Sequence, residues 1–190
     1  MFALPTVPGD PTAGGLTDGV VLGIDPGLTR CGYAVLHPGQ GGAVRAVAMG
    51  VIRTSASDPL PRRLADLQAE VGELIREHRP SAVAVEQVFF RSNVRTAMSV
   101  GQASGVVLAL AAASGCTVAQ YTPSQVKDAV AGWGGAGKEQ VQKMVQKRLG
   151  LAALPRPADA ADAAAIAMCH ISVAPFTRSR DAASPQGAAR

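Results

Sequence analysis

The stretch Val20–Leu36, VVLGIDPGLTRCGYAVL, decides the fold. It contains an apolar run that ends in Asp25, then a Pro-Gly turn and a second apolar run, Gly32–Leu36. Two apolar runs separated by turn residues predict the strands of a hairpin, with a carboxylate near its mouth. Because Asp-Pro-Gly is also ordinary turn chemistry, Asp25 alone does not establish a site. A site requires other carboxylates that meet it.

Length and composition are typical of one folded domain. The chain has 190 residues, of which 47% are hydrophobic and 17% are charged, as expected for a protein with a buried core. No apolar run is long enough to span a bilayer, and the N-terminus lacks the pattern of a secretory signal. The cysteines Cys31, Cys116 and Cys169 match no disulfide or zinc framework, so reduced thiols and a cytoplasmic location are expected.

Positive charge is concentrated in one part of the chain. The net charge is +4 overall, whereas residues 87–156 carry eight basic and two acidic residues, a net charge of +6. Such a segment is a candidate surface for a polyanion such as nucleic acid. A solvated helical surface rich in Lys and Arg explains the composition at least as well.

The order of elements predicts an α/β domain between two tails. Residues 1–18 are rich in Pro, Gly and Thr and are predicted to be a disordered leader, and residues 175–190 to be a disordered tail. Residues 19–174 contain, in order, three strands, a helix, a strand, a helix, a strand and further helices. This order predicts a mixed five-stranded sheet flanked by helices, antiparallel in its first three strands and parallel in the added ones.

A second carboxylate lies in the fourth predicted strand. Glu86 is the only charged residue in the apolar run Ser81–Phe89, and a charge among buried residues needs a partner or a metal ion. A structural explanation remains open, in which Glu86 at the strand end pairs with an arginine such as Arg91.

Two more carboxylates lie three residues apart in the last predicted helix, Asp159–Val173. This spacing places Asp159 and Asp162 on one face of the helix, one turn apart, among alanines. The alternative is that Asp159 caps the helix and that Asp162 interacts favourably with the helix dipole. The alanine surface indicates that the helix packs tightly against the sheet, which would bring both acids to the strand ends.

Together, Asp25, Glu86, Asp159 and Asp162 could form an oxygen-rich site suited to Mg²⁺ or Mn²⁺. Two such ions can activate a water molecule and stabilise the leaving oxygen in phosphodiester hydrolysis. With the positive segment nearby to hold phosphates, these residues favour a metal-dependent nuclease.

Five blocks of this sequence, in the same order, resemble the RuvC family. That family comprises Holliday junction resolvases with a ribonuclease H-like fold, and the similarity extends from about Val20 to Val173. The blocks are GIDPGLTRCGYAVL (23–36), VAVEQVFF (83–90), QASGVVLALAAASG (102–115), PSQVKDAVAGWGGAGKEQVQKMV (123–145) and PADAADAAAIAMCH (157–170).

The resemblance implies a catalytic and metal-binding tetrad of Asp25, Glu86, Asp159 and Asp162. Some family members have His at the last position, where this chain has Asp162. It also implies two Mg²⁺ ions per active site, with Mn²⁺ as the alternative. The implied activity is the resolution of four-way DNA junctions by paired symmetric nicks, in homologous recombination and DNA repair. The implied partners are a second copy of the chain, in a homodimer, and the RuvA–RuvB branch-migration complex.

The resemblance further implies DNA-binding residues. Phe89 matches the family's aromatic residue that wedges between bases at the crossover, Arg91 is assigned to the same DNA surface, and Lys127 and Lys138 match basic residues near the scissile phosphate. Stacking of a ring on a base contributes about 1–3 kcal/mol. A core position for Phe89 remains open, because Phe90 follows it directly.

Two other functions are weighed against the nuclease. An actin-like ATPase or sugar kinase also begins with a strand, an Asp-x-Gly turn and a strand, but it needs two lobes to enclose a nucleotide. A non-catalytic junction-binding protein would bind DNA with a steep salt dependence and would not cut it.

Two motifs of the sequence are weak. The segment Gly132–Glu139 fits G-x-x-x-x-G-K but lacks the Ser or Thr of a phosphate-binding loop and follows a helix. The histidines His37, His78 and His170 share no metal-ligand spacing, and His170 is expected to be a packed ring or a favourable charge near a helix end.

Overall fold

The structure is a computed structural model that describes residues 19–87 and 94–183, with the backbone alone for 94–96 and 175–183. Its centre is a five-stranded sheet with the strand order β3-β2-β1-β4-β5. Strands β1, β2 and β3 are antiparallel, whereas β4 and β5 are added in parallel to β1. This arrangement confirms the predicted mixed sheet. The strands are β1 Val21–Asp25, β2 Arg30–Pro38, β3 Val44–Arg53, β4 Ala82–Glu86 and β5 Thr117–Tyr121.

Helices cover both faces of the sheet. Helices α1 and α2 pack against each other on one face, and α5 packs on β1 and β2 on the other face, with α3 and α4 beside it. No helix within residues 19–87 and 94–183 is long and apolar enough to cross a membrane. The helices are α1 Leu60–His78, α2 Val94–Ala113, α3 Pro123–Ala131, α4 Lys138–Arg148 and α5 Ala158–Ala183.

Two element boundaries differ from those predicted. Strand β4 ends at Glu86, whereas the apolar pattern predicts a strand over Ser81–Phe89; residues 88–93 lie outside the described ranges. Helix α5 continues to Ala183, so the predicted end at Val173 is wrong, and the disorder of residues 175–190 stays a prediction. The helix includes Pro175, and because proline is unfavourable in a helix interior, the local sequence does not indicate this continuation. The predicted disorder of residues 1–18 and 184–190 lies outside the described residues.

The core has two layers, one on each side of the sheet. Alternation along the strands sends Leu22 and Ile24 toward α1 and α2, and Val21 toward α5. On the α5 side, the alanines at 163, 164, 165 and 167 are fully buried or nearly so. Small side chains permit a close approach of the helix to the sheet.

Two strand glycines make that approach possible. A Cβ atom at Gly23 would lie 2.2 Å from the carbonyl oxygen of Ala163, and one at Gly32 would lie 2.2 Å from the carbonyl oxygen of Asp159. Real Cβ atoms do not approach oxygen so closely, so any larger residue would push α5 away. The glycines therefore fix the distance between the first turns of α5 and the ends of β1 and β2.

Candidate active site

The first two candidate acids occupy equivalent positions on neighbouring strands. Asp25 is the last residue of β1 and Glu86 the last residue of β4, and the two strands are parallel and in register from Val21 opposite Ala82. Because side chains alternate along a strand, Asp25 shares the α5 face with Gly23. Ligand sites in open α/β sheets lie at the carboxyl ends of parallel strands, which is where these two acids lie.

Helix α5 brings the other two acids to the same edge. Asp25 is paired with Gly32 in the hairpin, and the backbone of Asp159 lies directly over Gly32. Asp162 follows one turn later on α5. The predicted tight packing of the alanine surface is thus confirmed, and this packing places both acids near the strand ends.

An open cleft of about 340 Å³ lies between these strand ends and the helices. Three acids line it, Asp25, Glu86 and Asp162, and two lysines face them, Lys127 from α3 and Lys138 from α4. Its remaining lining residues are Pro123, Val126, Val141 and Ala165. Asp159 lies at the edge of the cleft and is not among its lining residues.

Each acid of α5 is bonded to a basic residue of another element. Lys138 Nζ donates to Asp162 Oδ2 at 2.6 Å, and Arg30 Nη2 donates to Asp159 Oδ2 at 2.5 Å. The bond from Arg30 holds the pKa of Asp159 below its usual range, and the bond to Asp162 raises the pKa of Lys138. The capping alternative for Asp159 and the dipole alternative for Asp162 do not account for these long-range bonds.

Asp25 is the acid of the site whose pKa is raised most. Burial, with the charges of Glu86, Asp162 and Asp159 adding to it, raises the pKa of Asp25 to about 7. Burial and the charge of Asp162 also raise the pKa of Glu86. Both effects are reduced by the positive charge of Lys138. Burial, and after it the neighbouring acids, therefore disfavour the ionised form of Asp25 more than Lys138 favours it.

These residues fit a hard divalent cation by their chemistry. All four are carboxylates, the donors that Mg²⁺ and Mn²⁺ prefer, and a cation beside Asp25 would favour the ionised form that burial and the neighbouring acids disfavour. Within the described residues, no three His, Cys, Asp or Glu side chains are grouped closely enough to hold a metal ion. In this arrangement Arg30 forms an ion pair with Asp159, and Lys138 forms one with Asp162.

A hydrogen-bond network braces the turn between Asp25 and β2. Arg63 of α1 donates from Nε to Thr54 Oγ1 at 2.9 Å and from Nη2 to Thr29 Oγ1 at 2.6 Å. Thr54 Oγ1 in turn donates to the carbonyl oxygen of Leu28 at 2.5 Å. The turn that ends β1 is thus tied to a helix on the opposite face of the sheet, which restrains the backbone that carries Asp25.

Of the predicted DNA-binding residues, Lys127 and Lys138 lie in the cleft, whereas Phe89 and Arg91 lie outside the described residues. The other basic residues of segment 87–156 do not all face the cleft. Arg148 donates to the carbonyl oxygen of Ala129 and to Ser172 Oγ, which is a structural role. The positive charge counted along the sequence is therefore only partly a surface for phosphates.

The two weak motifs have structural roles. Gly132 ends α3 in the left-handed conformation, with φ 85°, and Gly137 is the N-cap of α4, so the G-x-x-x-x-G-K match connects two helices. His170 is buried and hydrogen-bonded to Tyr121 at 2.9 Å between Nδ1 and the hydroxyl oxygen. It is a packed ring, the first of its two expected roles.

Arg30 is the site residue that the sequence argument misses. It is the first residue of β2 and is separated from Asp159 by 129 positions. Alternation places Arg30 on the same face as Gly32, but this is informative only once α5 is known to cover that face.

Most of the chain is similar to one known protein family. The sequence profile described as "Crossover junction endodeoxyribonuclease RuvC" matches residues 21–170. The chain belongs to the RuvC family. The RuvC of Saccharopolyspora erythraea is 52% identical over 156 residues, which cover 82% of this chain and 78% of that protein.

Solved RuvC structures agree with the fold. The structure of Thermus thermophilus RuvC is similar with a TM-score of 0.78 at 43% identity, covering 83% of this chain and 96% of that one. The structure of T. thermophilus RuvC in complex with a Holliday junction substrate is similar with a TM-score of 0.76 at 40% identity, with the same coverage. RuvC proteins have a ribonuclease H-like fold, and the predicted fold class is confirmed.

Proposed function

We propose that the acidic cleft of this RuvC family member is the site at which it resolves four-way DNA junctions, by paired symmetric nicks that depend on divalent metal ions. At the level of the family, the chain is a crossover junction endodeoxyribonuclease. The single observation that carries the assignment to this cleft is the meeting of three carboxylates from β1, β4 and α5 with two lysines from α3 and α4.

The proposal gives the four acids a common task. Asp25, Glu86 and Asp162 would hold two Mg²⁺ ions, or Mn²⁺, with Asp159 at the edge completing the set. Bound ions of this kind supply Lewis-acid activation of water and of the leaving oxygen. Asp25 is the central residue, because it lies among the other three acids and must lose its proton to bind a cation.

The lysines would position the DNA. Lys127 and Lys138 both face the acids across the cleft, so a phosphodiester held by these lysines lies within reach of the carboxylates. Lys138 Nζ also lies 2.6 Å from Asp162 Oδ2, so a phosphate bound by this lysine would lie next to the acids. Phe89 and Arg91 remain proposed DNA contacts, with Phe89 as the wedge between bases at the crossover.

Paired nicks on two strands require two active sites. We propose a homodimer, whose two-fold axis matches the near symmetry of a four-way junction. A function together with the RuvA–RuvB branch-migration complex is proposed from family membership. An actin-like ATPase or sugar kinase is not favoured, because the chain belongs to the RuvC family.

A cleavage assay tests the proposed function. A mobile four-way junction is incubated with the purified chain in Mg²⁺, in Mn²⁺ and in EDTA, and the nicks are mapped on all four strands. We expect metal-dependent nicks at symmetric positions on two opposing strands, and no cutting of the matching linear duplex. Junction binding without metal-stimulated cutting would instead support the non-catalytic junction-binding protein.

A further inference from the structure

The connection between α3 and α4 carries an exposed tryptophan. Trp133 is 56% exposed, and it is one of four large hydrophobic side chains in the described part of the chain that are open to solvent. The seven residues Gly132–Lys138, which connect the two helices and begin α4, contain no acidic residue. Single exposed apolar side chains are common on proteins, so the exposure of Trp133 is informative only together with its surroundings.

This connection returns to the rim of the cleft. Helix α3 begins at the cleft with Pro123, and α4 begins there with Lys138. A Cβ at Gly134 would lie 2.4 Å from Ser124 Oγ, so the residue after Trp133 is packed on the residue after Pro123. Trp133 is thus held close to the cleft, between the helices that contribute its two lysines.

The indole ring is seated on a glycine. A Cβ at Gly135 would lie 2.2 Å from Cζ3 and 2.8 Å from Cε3 of Trp133, so one side of the benzo ring rests on the backbone of Gly135. A backbone hydrogen bond from Ala136 to the carbonyl oxygen of Trp133, at 3.2 Å, closes the turn. The ring is therefore supported on one side and open to solvent elsewhere, as a stacking platform requires.

From this geometry we infer that Trp133 is a nucleobase-binding residue, which stacks on a base of the DNA strand whose phosphates are held by Lys127 and Lys138. This inference rests on the proposed function and adds to it a contact outside the acidic cleft. Aromatic rings next to lysines form a common arrangement for single-stranded or unstacked nucleic acid, in which the charges hold the backbone and the ring holds a base.

The test uses the fact that the chain has a single tryptophan. Its fluorescence is followed while a synthetic four-way junction is added in EDTA, and the anisotropy of a dye-labelled junction reports binding independently. We expect saturable quenching of the tryptophan at the concentrations at which the anisotropy rises. We further expect Trp133→Ala to weaken junction binding by about 5- to 150-fold, which corresponds to the loss of ~1–3 kcal/mol of stacking.

Three further variants make the result specific. Trp133→Phe keeps a smaller ring and is expected to retain part of the affinity. Gly135→Ala keeps the indole but displaces it from its seat, so the quenching is expected to decrease. Leu60→Ala removes an exposed apolar side chain from α1, on the other face of the sheet, and is expected to bind as the wild type does.

The outcomes separate this inference from the proposed function. If the junction binds and is cut in metal while the fluorescence is unchanged and Trp133→Ala binds as the wild type does, the stacking role is wrong and the proposed function stands. That result would leave the exposed indole to a protein partner. If the wild-type chain does not bind the junction at all, the proposed function fails and the inference fails with it.

Discussion

Lys138 Nζ lies 2.6 Å from Asp162 Oδ2, so the first residue of α4 is bonded to a residue near the start of α5. The same ammonium group lowers the pKa values of Asp25 and Glu86 through its charge. Lys138 therefore couples the proposed phosphate contact to the protonation of the acids. A lysine placed only for DNA affinity would not have this second effect.

Removal of the Lys138 charge should change the pH dependence of cleavage. In Lys138→Met, the pKa values of Asp25 and Glu86 rise, because the charge that lowers both is lost. If these acids must be ionised for cleavage, the acidic limb of the profile of kcat/KM against pH moves to higher pH. The profile is measured at one fixed, low metal concentration.

The matched control for that variant is Lys143→Met. Lys143 is on the same helix and is bonded to Glu139 at 2.8 Å, with 63% of its side chain exposed. It contributes no shift to Asp25 or Glu86, so its removal should leave the acidic limb in place. An identical displacement in both variants would mean that general loss of positive charge, and not contact with the acids, controls the profile.

The metal-free protein should lose stability as the pH rises, because of Asp25. Its pKa is about 7 in the folded protein and near 3.8 in the unfolded chain, so the folded state binds the proton more tightly. Between these two pH values, deprotonation favours the unfolded state, and the loss of unfolding free energy reaches about 2–4 kcal/mol above pH 7. Asp25→Asn has no ionisable group at this position, so its free energy of unfolding should not fall in this way. Urea denaturation in EDTA at pH 5 and pH 8 measures the difference between the two proteins.

Asp25→Asn should be the more stable of the two proteins at neutral and higher pH. The advantage of Asp25→Asn over the wild type should be present in part at pH 5, grow toward pH 7 and then stay constant. A variant that is less stable than the wild type at pH 8 would show that Asp25 is stabilised, not strained, by its surroundings.

Close packing of α5 on β1 should be needed for both stability and cleavage. Gly23→Ala places a methyl group 2.2 Å from the carbonyl oxygen of Ala163, so α5 must move away from the sheet. We expect a loss of about 1–3 kcal/mol in the free energy of unfolding, and weaker cleavage because Asp162 moves away from Asp25. Urea denaturation and the junction cleavage assay measure the two effects.

A helical glycine provides the control for Gly23→Ala. At Gly72 of α1 the nearest heavy atom to an added Cβ is Leu110 Cδ2, at the ordinary contact distance of 3.8 Å. Gly72→Ala is therefore expected to stabilise the protein by about 0.5–1 kcal/mol, with normal cleavage. Equal destabilisation by both substitutions would contradict the specific role of Gly23.

The sheet and the acids were predictable because local patterns encode them. The turn after Asp25 and the isolated charge of Glu86 in an apolar run can each be recognised from a few neighbouring residues. The i, i+3 spacing of Asp159 and Asp162 needs only the geometry of a helix. These signals require no knowledge of distant contacts.

The bonds within the site were not predictable, because they depend on the register of α5 over the sheet. Arg30 meets Asp159 only because Gly32 and the alanines of α5 let the helix approach closely. The end of α5 was also mispredicted, since the helix continues past Val173 to Ala183 through a segment whose proline and polar residues show no helical pattern.

The most direct measurement of the central claim compares Asp25→Asn with the wild type on the same four-way junction. Asparagine keeps the size of the side chain but not the negative charge, so metal binding should be lost while the lysines of the cleft still hold DNA. We predict junction affinity close to that of the wild type, and no cleavage in Mg²⁺ or Mn²⁺. Cleavage by Asp25→Asn at the wild-type rate would contradict the assignment of this cleft as the metal-dependent active site.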